Sequence, residues 1–215
     1  MLIRYSFIFF AWVSFNLFAL EHGKPVSPQM PLVSIHFDNG YICSGAYLNS
    51  TTIVTSAHCL DGFQVRTIKD AKDLVINVQV KQQMKHPQFE WSFLWSAHDI
   101  GVIKTSNVPR EYYYPSLGDK NESSVYIAAC GKREAKGNRD GCTFGKNRGV
   151  QLWRYYISIG EVNVLSNDSG GIVLDPTAKK VLGVIWGWNN TIGLHFNFSS
   201  SFSEKSNREF IKKHL

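Results

Sequence analysis

Three short stretches hold the side chains with which this chain could do covalent chemistry: "TIVTSAHCL" with His58, "WSAHDIGVIKT" with Asp99, and "NVLSNDSGG" with Ser169. A serine hydroxyl at its free pKa is a poor nucleophile. It becomes a good one when an imidazole accepts its proton and a carboxylate fixes the imidazole's tautomer and stabilises the imidazolium. The order His, Asp, Ser along the chain is one of three in which such triads are assembled. Singly, each residue has a plainer role: a hydrogen-bonded structural histidine, a strand-start carboxylate, a turn serine beside Gly170 and Gly171. Together they predict acyl transfer, and His22, His36, His86, His98, His195 and His214, which lack such company, are read as structural or surface residues.

The elements that must position these groups are strands. "LVSIHF" (32–37), "DNG" and "YICSGAYL" (41–48) form a hairpin whose Asn39-Gly40 suits a type I′ turn. Further β-rich runs follow: "TIVTS", "DLVINVQVKQQ", "DIGVIKT", "SVYIAAC", "GVQLWRYYISI", "GIVL", "KVLGVIWGW" and "GLHFNFS". No long helical pattern lies between them, so the expected fold class is all-β, sandwich or barrel. Only "SFSEKSNREFIKKHL" departs, with Ser201 and Glu204 spaced as a capping box ahead of one C-terminal helix. A linker between two β-halves is expected near residues 107–123.

The first nineteen residues, with Arg4, an apolar run from Phe7 to Val13 and then Ser14 and Asn16, read as a secretory signal peptide ending at Ala19. Export to an extracellular or periplasmic compartment favours disulfides for the four cysteines, and no C-x-x-C is present. Three pairings are open, of which Cys43 with Cys59 and Cys130 with Cys142 are the local ones; each would stabilise by about 3 kcal/mol. No cofactor and no metal are expected. The net charge of +6 is concentrated in "GKREAKGNRDGCTFGKNRG" (131–149). Without an aromatic stacking run or a binding motif, this segment reads as a solvated, disulfide-tied loop and not as a nucleic-acid patch. Sequons at Asn49 and Asn197 would carry glycans only in a host that glycosylates.

On these motifs the chain resembles the chymotrypsin/trypsin-like serine proteases. "TSAHC" is similar to the family's "TAAHC", "HDIGVI" to "NDIALL", and "NDSGG" to "GDSGG". "HPQF" (86–89), the first hairpin, "VLGVIWGW" and the C-terminal helix extend the likeness over about residues 23–215. The resemblance implies two packed six-stranded antiparallel β-barrels, at about 24–112 and 113–202, and a helix at about 203–214, within a peptidase domain from residue 20 to 215. It implies a secreted serine endopeptidase in which Ser169 attacks a peptide carbonyl, His58 is base and then acid, and Asp99 orients His58. Protein or peptide substrates follow, with a protein inhibitor as a second partner class. No nucleic acid and no stable membrane insertion after signal removal are expected, and the chain is read as a monomer.

The resemblance also assigns residues around the triad. The N–H groups of Asn167 and Ser169 would form the oxyanion hole, although the family usually carries Gly where Asn167 stands. Asp168 would pair with a new N-terminus at Leu20, exposed by signal cleavage alone. The base of the substrate pocket falls on Asn163, which does not support a preference for Lys or Arg. Leu165 occupies the place of a cysteine that braces the family's pocket. Trp186, Trp188 and His195 are the other pocket candidates. The alternative function is a catalytically impaired homologue that binds through the old cleft; such proteins usually lose a triad residue, and none is lost here.

Overall fold

The computed structural model describes residues 20, 22–90, 98–108, 111–120, 122–131, 141–152, 155–191 and 194–215. The signal-peptide reading of residues 1–19 lies outside them, as do Arg and Lys residues of the basic run at 132–140. In chain order the strands are β1 (Lys24–Pro25), β2 (Leu32–Phe37), β3 (Ile42–Asn49), β4 (Thr52–Thr55), β5 (Val65–Asp70), β6 (Val80–Lys85) and β7 (Gly101–Thr105). There follow β8 (Ser116–Leu117), β9 (Ser124–Ala129), β10 (Thr143–Leu152), β11 (Tyr155–Gly160), β12 (Ile172–Leu174), β13 (Lys180–Thr191) and β14 (Leu194–Ser201). The helix α1 (Lys205–Lys213) ends the chain.

Pairing sorts them into two sheets. One runs β5-β2-β3-β4-β7-β6, all antiparallel. In the other, β9-β10-β11-β14-β13-β12 closes on itself, because β9 pairs with both β10 and β12. Two-residue strands extend this barrel: β1 beside β10, and β8 parallel to β13. The expected pair of six-stranded antiparallel units is therefore present, with the second closed and the first a half-barrel among the described residues.

Alternation of side chains along the strands builds three cores. Val33, Ile35, Cys43, Tyr47, Ile53 and Ile103 fill the first sheet's concave face. Val125, Ile127, Ala129, Val173, Leu182 and Ile185 fill the second barrel. The intervening positions Leu32, Ala46, Val54, Val102, Ala128, Ile172, Leu174, Val181 and Val184 meet one another between the two units, joined by Phe210 and Ile211 of α1. Strands buried on both faces lose the apolar/polar alternation of a half-exposed sheet, which explains runs such as "LVSI" and "GIVL". At about 1.5–3 kcal/mol per fully buried aliphatic side chain, a seam so filled gives residues on either side a rigid common base.

Four local readings are corrected. The 38–40 turn is not type I′, since only Gly40 has a positive φ (+83°), and Gly40 N–H bonds Phe37 O at 3.1 Å. That is the type I turn with a left-handed third residue found in three-residue hairpin loops. "DLVINVQVKQQ" becomes a strand only from Val80, because Asp70 Oδ1 accepts the N–H groups of Lys72 and Leu74 and turns the chain there. "GVQLWRYYISI" is two strands, β10 and β11, and β10 already begins at Thr143, inside the segment read as a solvated loop. The capping box is absent: Ser201 pairs with Gly183 in the barrel, its Oγ accepts Ser203 N–H at 3.1 Å, and α1 starts at Lys205 with Glu204 in the cap position and no side-chain cap bond.

Candidate active site

His58 and Asp99 meet because β4 and β7 pair in the register Thr55 opposite Gly101. His58 opens a single 3-10 turn (His58–Leu60) just past β4, and Asp99 stands just before β7. The disulfide from Cys43 to Cys59 ties that turn to β3. Asp99 is buried; its Oδ2 accepts His58 Nδ1–H at 2.6 Å and its Oδ1 accepts the main-chain N–H of His58 at 2.8 Å. An ionised carboxylate only accepts, so the ring proton sits on Nδ1 and Nε2 is the acceptor. Behind Asp99, His98 Nδ1 donates to Asn207 Oδ1 of α1 at 2.8 Å and its ring stacks on that of His86, 4.7 Å away. The histidines read as structural are so in these two cases.

Ser169 arrives from the other unit, on the turn that leads into β12. Its carbonyl accepts Ser44 N–H at 2.7 Å. Cys59 Sγ, consumed in the disulfide and so no donor, lies 3.7 Å from His58 Nε2 and 3.8 Å from the Ser169 carbonyl. One sulfur thus touches both residues. The Ser169 hydroxyl makes no hydrogen bond among the described residues; in unliganded sites such catalytic contacts are often long and tighten on binding. Cys43, His58 and Cys59 also place their ligand atoms within 4.8 Å of one another, but both sulfurs are spent in the disulfide.

The turn itself is strained in a way that bears on chemistry. Asn167 has φ +75°, a left-handed conformation in which Asn is enriched among non-glycine residues. Gly170, at φ +88°, could not be replaced: a Cβ there would meet Ser44 O at 2.1 Å and Thr55 Oγ1 at 2.2 Å. Among the described residues neither the N–H of Asn167 nor that of Ser169 has an intramolecular acceptor. Two unengaged donors beside a serine are what an oxyanion hole requires.

Asp168 is fully buried, and Leu20, also fully buried, packs in the core of the second barrel. Leu20 N–H donates to Asp168 Oδ2 at 3.1 Å, and Leu165 N–H donates to the same oxygen at 2.9 Å. Burial pushes the carboxyl up to about 7, against the pull of the Leu165, Leu20 and Gly131 N–H groups. The two residues that sequence reasoning paired are therefore in contact.

Of the pocket candidates, Trp188 and His195 come together, their rings stacked 5.2 Å apart. His195 Nε2 donates to Val164 O at 2.9 Å, next to Asn163 in the chain. Trp186 instead stacks on Phe198 at 5.3 Å, and its Nε1–H is buried without an acceptor among the described residues. A concavity of about 700 Å³ lies elsewhere, on the outer face of β10 and β11 around Val150 and Ile159.

Sequence reasoning missed Ser44 and Asn197. Ser44 touches the turn at two residues, and Asn197 holds the chain around Asn163, accepting Val164 N–H at 2.8 Å and donating to Val162 O at 3.1 Å. A polar residue at a strand position otherwise filled by apolar or small ones was the available signal, and it carries no chemical motif.

Compared with known proteins, residues 22–191 match the family model described as Trypsin. A Glu endopeptidase in complex with MPD superposes with a TM-score of 0.70 at 16% identity, over 88% of this chain and 92% of that one. Neuropsin, a serine protease of mouse brain, gives 0.68 at 15%, over 89% and 98%. The scabies mite inactivated protease paralogue S-I1 gives 0.72 at 16%, over 90% and 99%.

Proposed function

Because the chain belongs to the trypsin family, and is thus a trypsin-like serine protease by descent, we propose that it is a secreted serine endopeptidase working through His58, Asp99 and Ser169. The observation that carries this reading is the buried Asp99 carboxylate engaging both the ring and the main chain of His58, with Ser169 brought to the same disulfide sulfur. In the reaction His58 Nε2 takes the Ser169 proton as the hydroxyl attacks the substrate carbonyl. The N–H groups of Asn167 and Ser169 hold the oxyanion; His58 then protonates the leaving amine, and water repeats the cycle on the acyl-enzyme. Asn163, Trp188 and His195 line the pocket for the side chain before the cut bond. Cleavage after Ala19 would turn Leu20 N–H into a charged amino group already seated on Asp168, so removal of the leader would complete the site.

The test is labelling of the processed protein by an active-site-directed fluorophosphonate. Label on the wild type and none on Ser169→Ala is the expected result. An unlabelled wild type that begins at Leu20 refutes the enzyme reading. It would place the chain with inactivated homologues, a reading favoured by the Ser169 hydroxyl's having no hydrogen bond among the described residues.

A further inference from the structure

Ser44 lies on β3 of the first unit, fully buried, and its three polar groups make four hydrogen bonds to the nucleophile turn or its supports. Its N–H donates to Ser169 O at 2.7 Å. Its carbonyl accepts Thr55 Oγ1–H at 2.7 Å, at the spot where Gly170 leaves room for both. Its hydroxyl oxygen accepts Cys130 N–H at 2.8 Å, at the neck of the segment closed by the Cys130–Cys142 disulfide. A hydroxyl has one proton to give. With Cys130 N–H supplying its own, that proton goes to the carbonyl of Asn167, 3.3 Å away.

We infer that the Ser44 hydroxyl is a positioning residue for the oxyanion hole, holding Asn167 in its left-handed conformation from the opposite barrel; this rests on the protease reading above. A non-glycine residue in that region persists only where its surroundings over-determine it. Asn167 is flanked by two pinned carbonyls, its own and that of Ser169, and Ser44 holds both. The second bond is main chain to main chain and survives any substitution. The first depends on the hydroxyl alone. Without it Asn167 turns out of the left-handed region and its N–H moves with it, away from the developing charge. Positional errors of about 1 Å at such donors cost on the order of 10²-fold in rate.

The test compares Ser44→Ala with wild type, each first shown to begin at Leu20 and to bind fluorophosphonate. The expected result is a fall in kcat of roughly 10- to 100-fold with KM changed less than about twofold, since the oxyanion exists only in the transition state. Affinity for a peptide boronate, which forms a tetrahedral adduct, should fall in parallel. The same substitution in an Asn167→Gly background, where no strain needs holding, should cost less than about threefold, a coupling that a generic packing role would not produce. If Ser44→Ala does not fold, the comparison of Asn167→Gly with the double variant decides alone, and a loss above about tenfold there overturns the inference. So does a Ser44→Ala kcat within about twofold of wild type, or an equal loss in both backgrounds. Failure of wild-type labelling would instead strike the protease reading itself.

Discussion

The pairing of Leu20 with Asp168 makes a prediction about stability that can be read without any substrate. In a chain still carrying residues before Leu20, the partner is a neutral amide N–H, and burial holds the Asp168 carboxyl at about 7 against an ordinary 3.8. Between those values the folded chain keeps a proton that the unfolded chain releases. Stability therefore falls as pH rises through this window, by up to about 1.4 kcal/mol per pH unit and by about 4 kcal/mol in all. Above the folded value the loss is complete and the curve flattens. In the chain that begins at Leu20, a charged amino group takes the amide's place, Asp168 stays ionised through the window, and this contribution vanishes.

The assay is urea unfolding of two proteins, one beginning at Leu20 and one extended to begin at Leu17, at intervals from pH 4 to pH 8. Carboxylates common to both cancel in the difference. The processed form should gain on the extended form by about 4 kcal/mol across the window. Asp168→Asn in the extended chain should remove Asp168's part of the pH slope and leave that of the other groups, because its amide has no proton to lose. Identical slopes for the extended chain and its Asp168→Asn variant would refute the reasoning, whatever the activity of either.

Two further outcomes follow from the site. Asp99→Asn should leave the fold intact but lower kcat by about 10³- to 10⁴-fold, because the amide can hold His58 in the wrong tautomer; steady-state kinetics beside a thermal melt separate this from unfolding. In a host that glycosylates, Asn49→Gln should lose glycan mass and Asn197→Gln should not, since Asn49 lies at a partly exposed strand end whereas Asn197 is fully buried with its amide engaged twice. Asn197→Ala should instead cost about 1–3 kcal/mol by orphaning Val164 N–H, while Val162 O keeps its bond from Asn147 Nδ2, measurable by urea unfolding.

The triad motifs were legible because the chemistry fixes residue types and the flanking strands fix their surroundings. His58 and Asp99 each sit within a few residues of a strand whose period shows in the sequence, so their meeting follows once β4 and β7 pair. The capping box misled for a definable reason. Local spacing of Ser201 and Glu204 favoured a helix start, but Ser201 is claimed by a barrel pairing with Gly183 that no local pattern reveals. The run "GVQLWRYYISI" hid a strand pair because no Gly, Asn or Pro stands in the sequence between Leu152 and Tyr155 to mark where β10 ends and β11 begins. Ser44 and Asn197 were invisible for the opposite reason: each acts by side-chain contacts 33 or more positions away, set by packing and not by spacing.

The nucleophile turn concentrates costs that the barrels do not bear. Asn167 and Gly170 have left-handed backbone, Asp168 is a buried carboxyl, and the turn carries two N–H donors without acceptors among the described residues. It is held from three directions: Ser44 and Thr55 from the first unit, Ile185 of β13 through Gly170 N–H and Gly171 O at 2.8 Å each, and Leu20 from the N-terminal side. The first two supports are parts of sheets that form regardless of what precedes Leu20. The third is the one that the proposed cleavage before Leu20 would change. Strengthening the Leu20 contact from amide to ammonium would therefore act first on the turn, and reach the stability of the fold through the Asp168 carboxyl that both share.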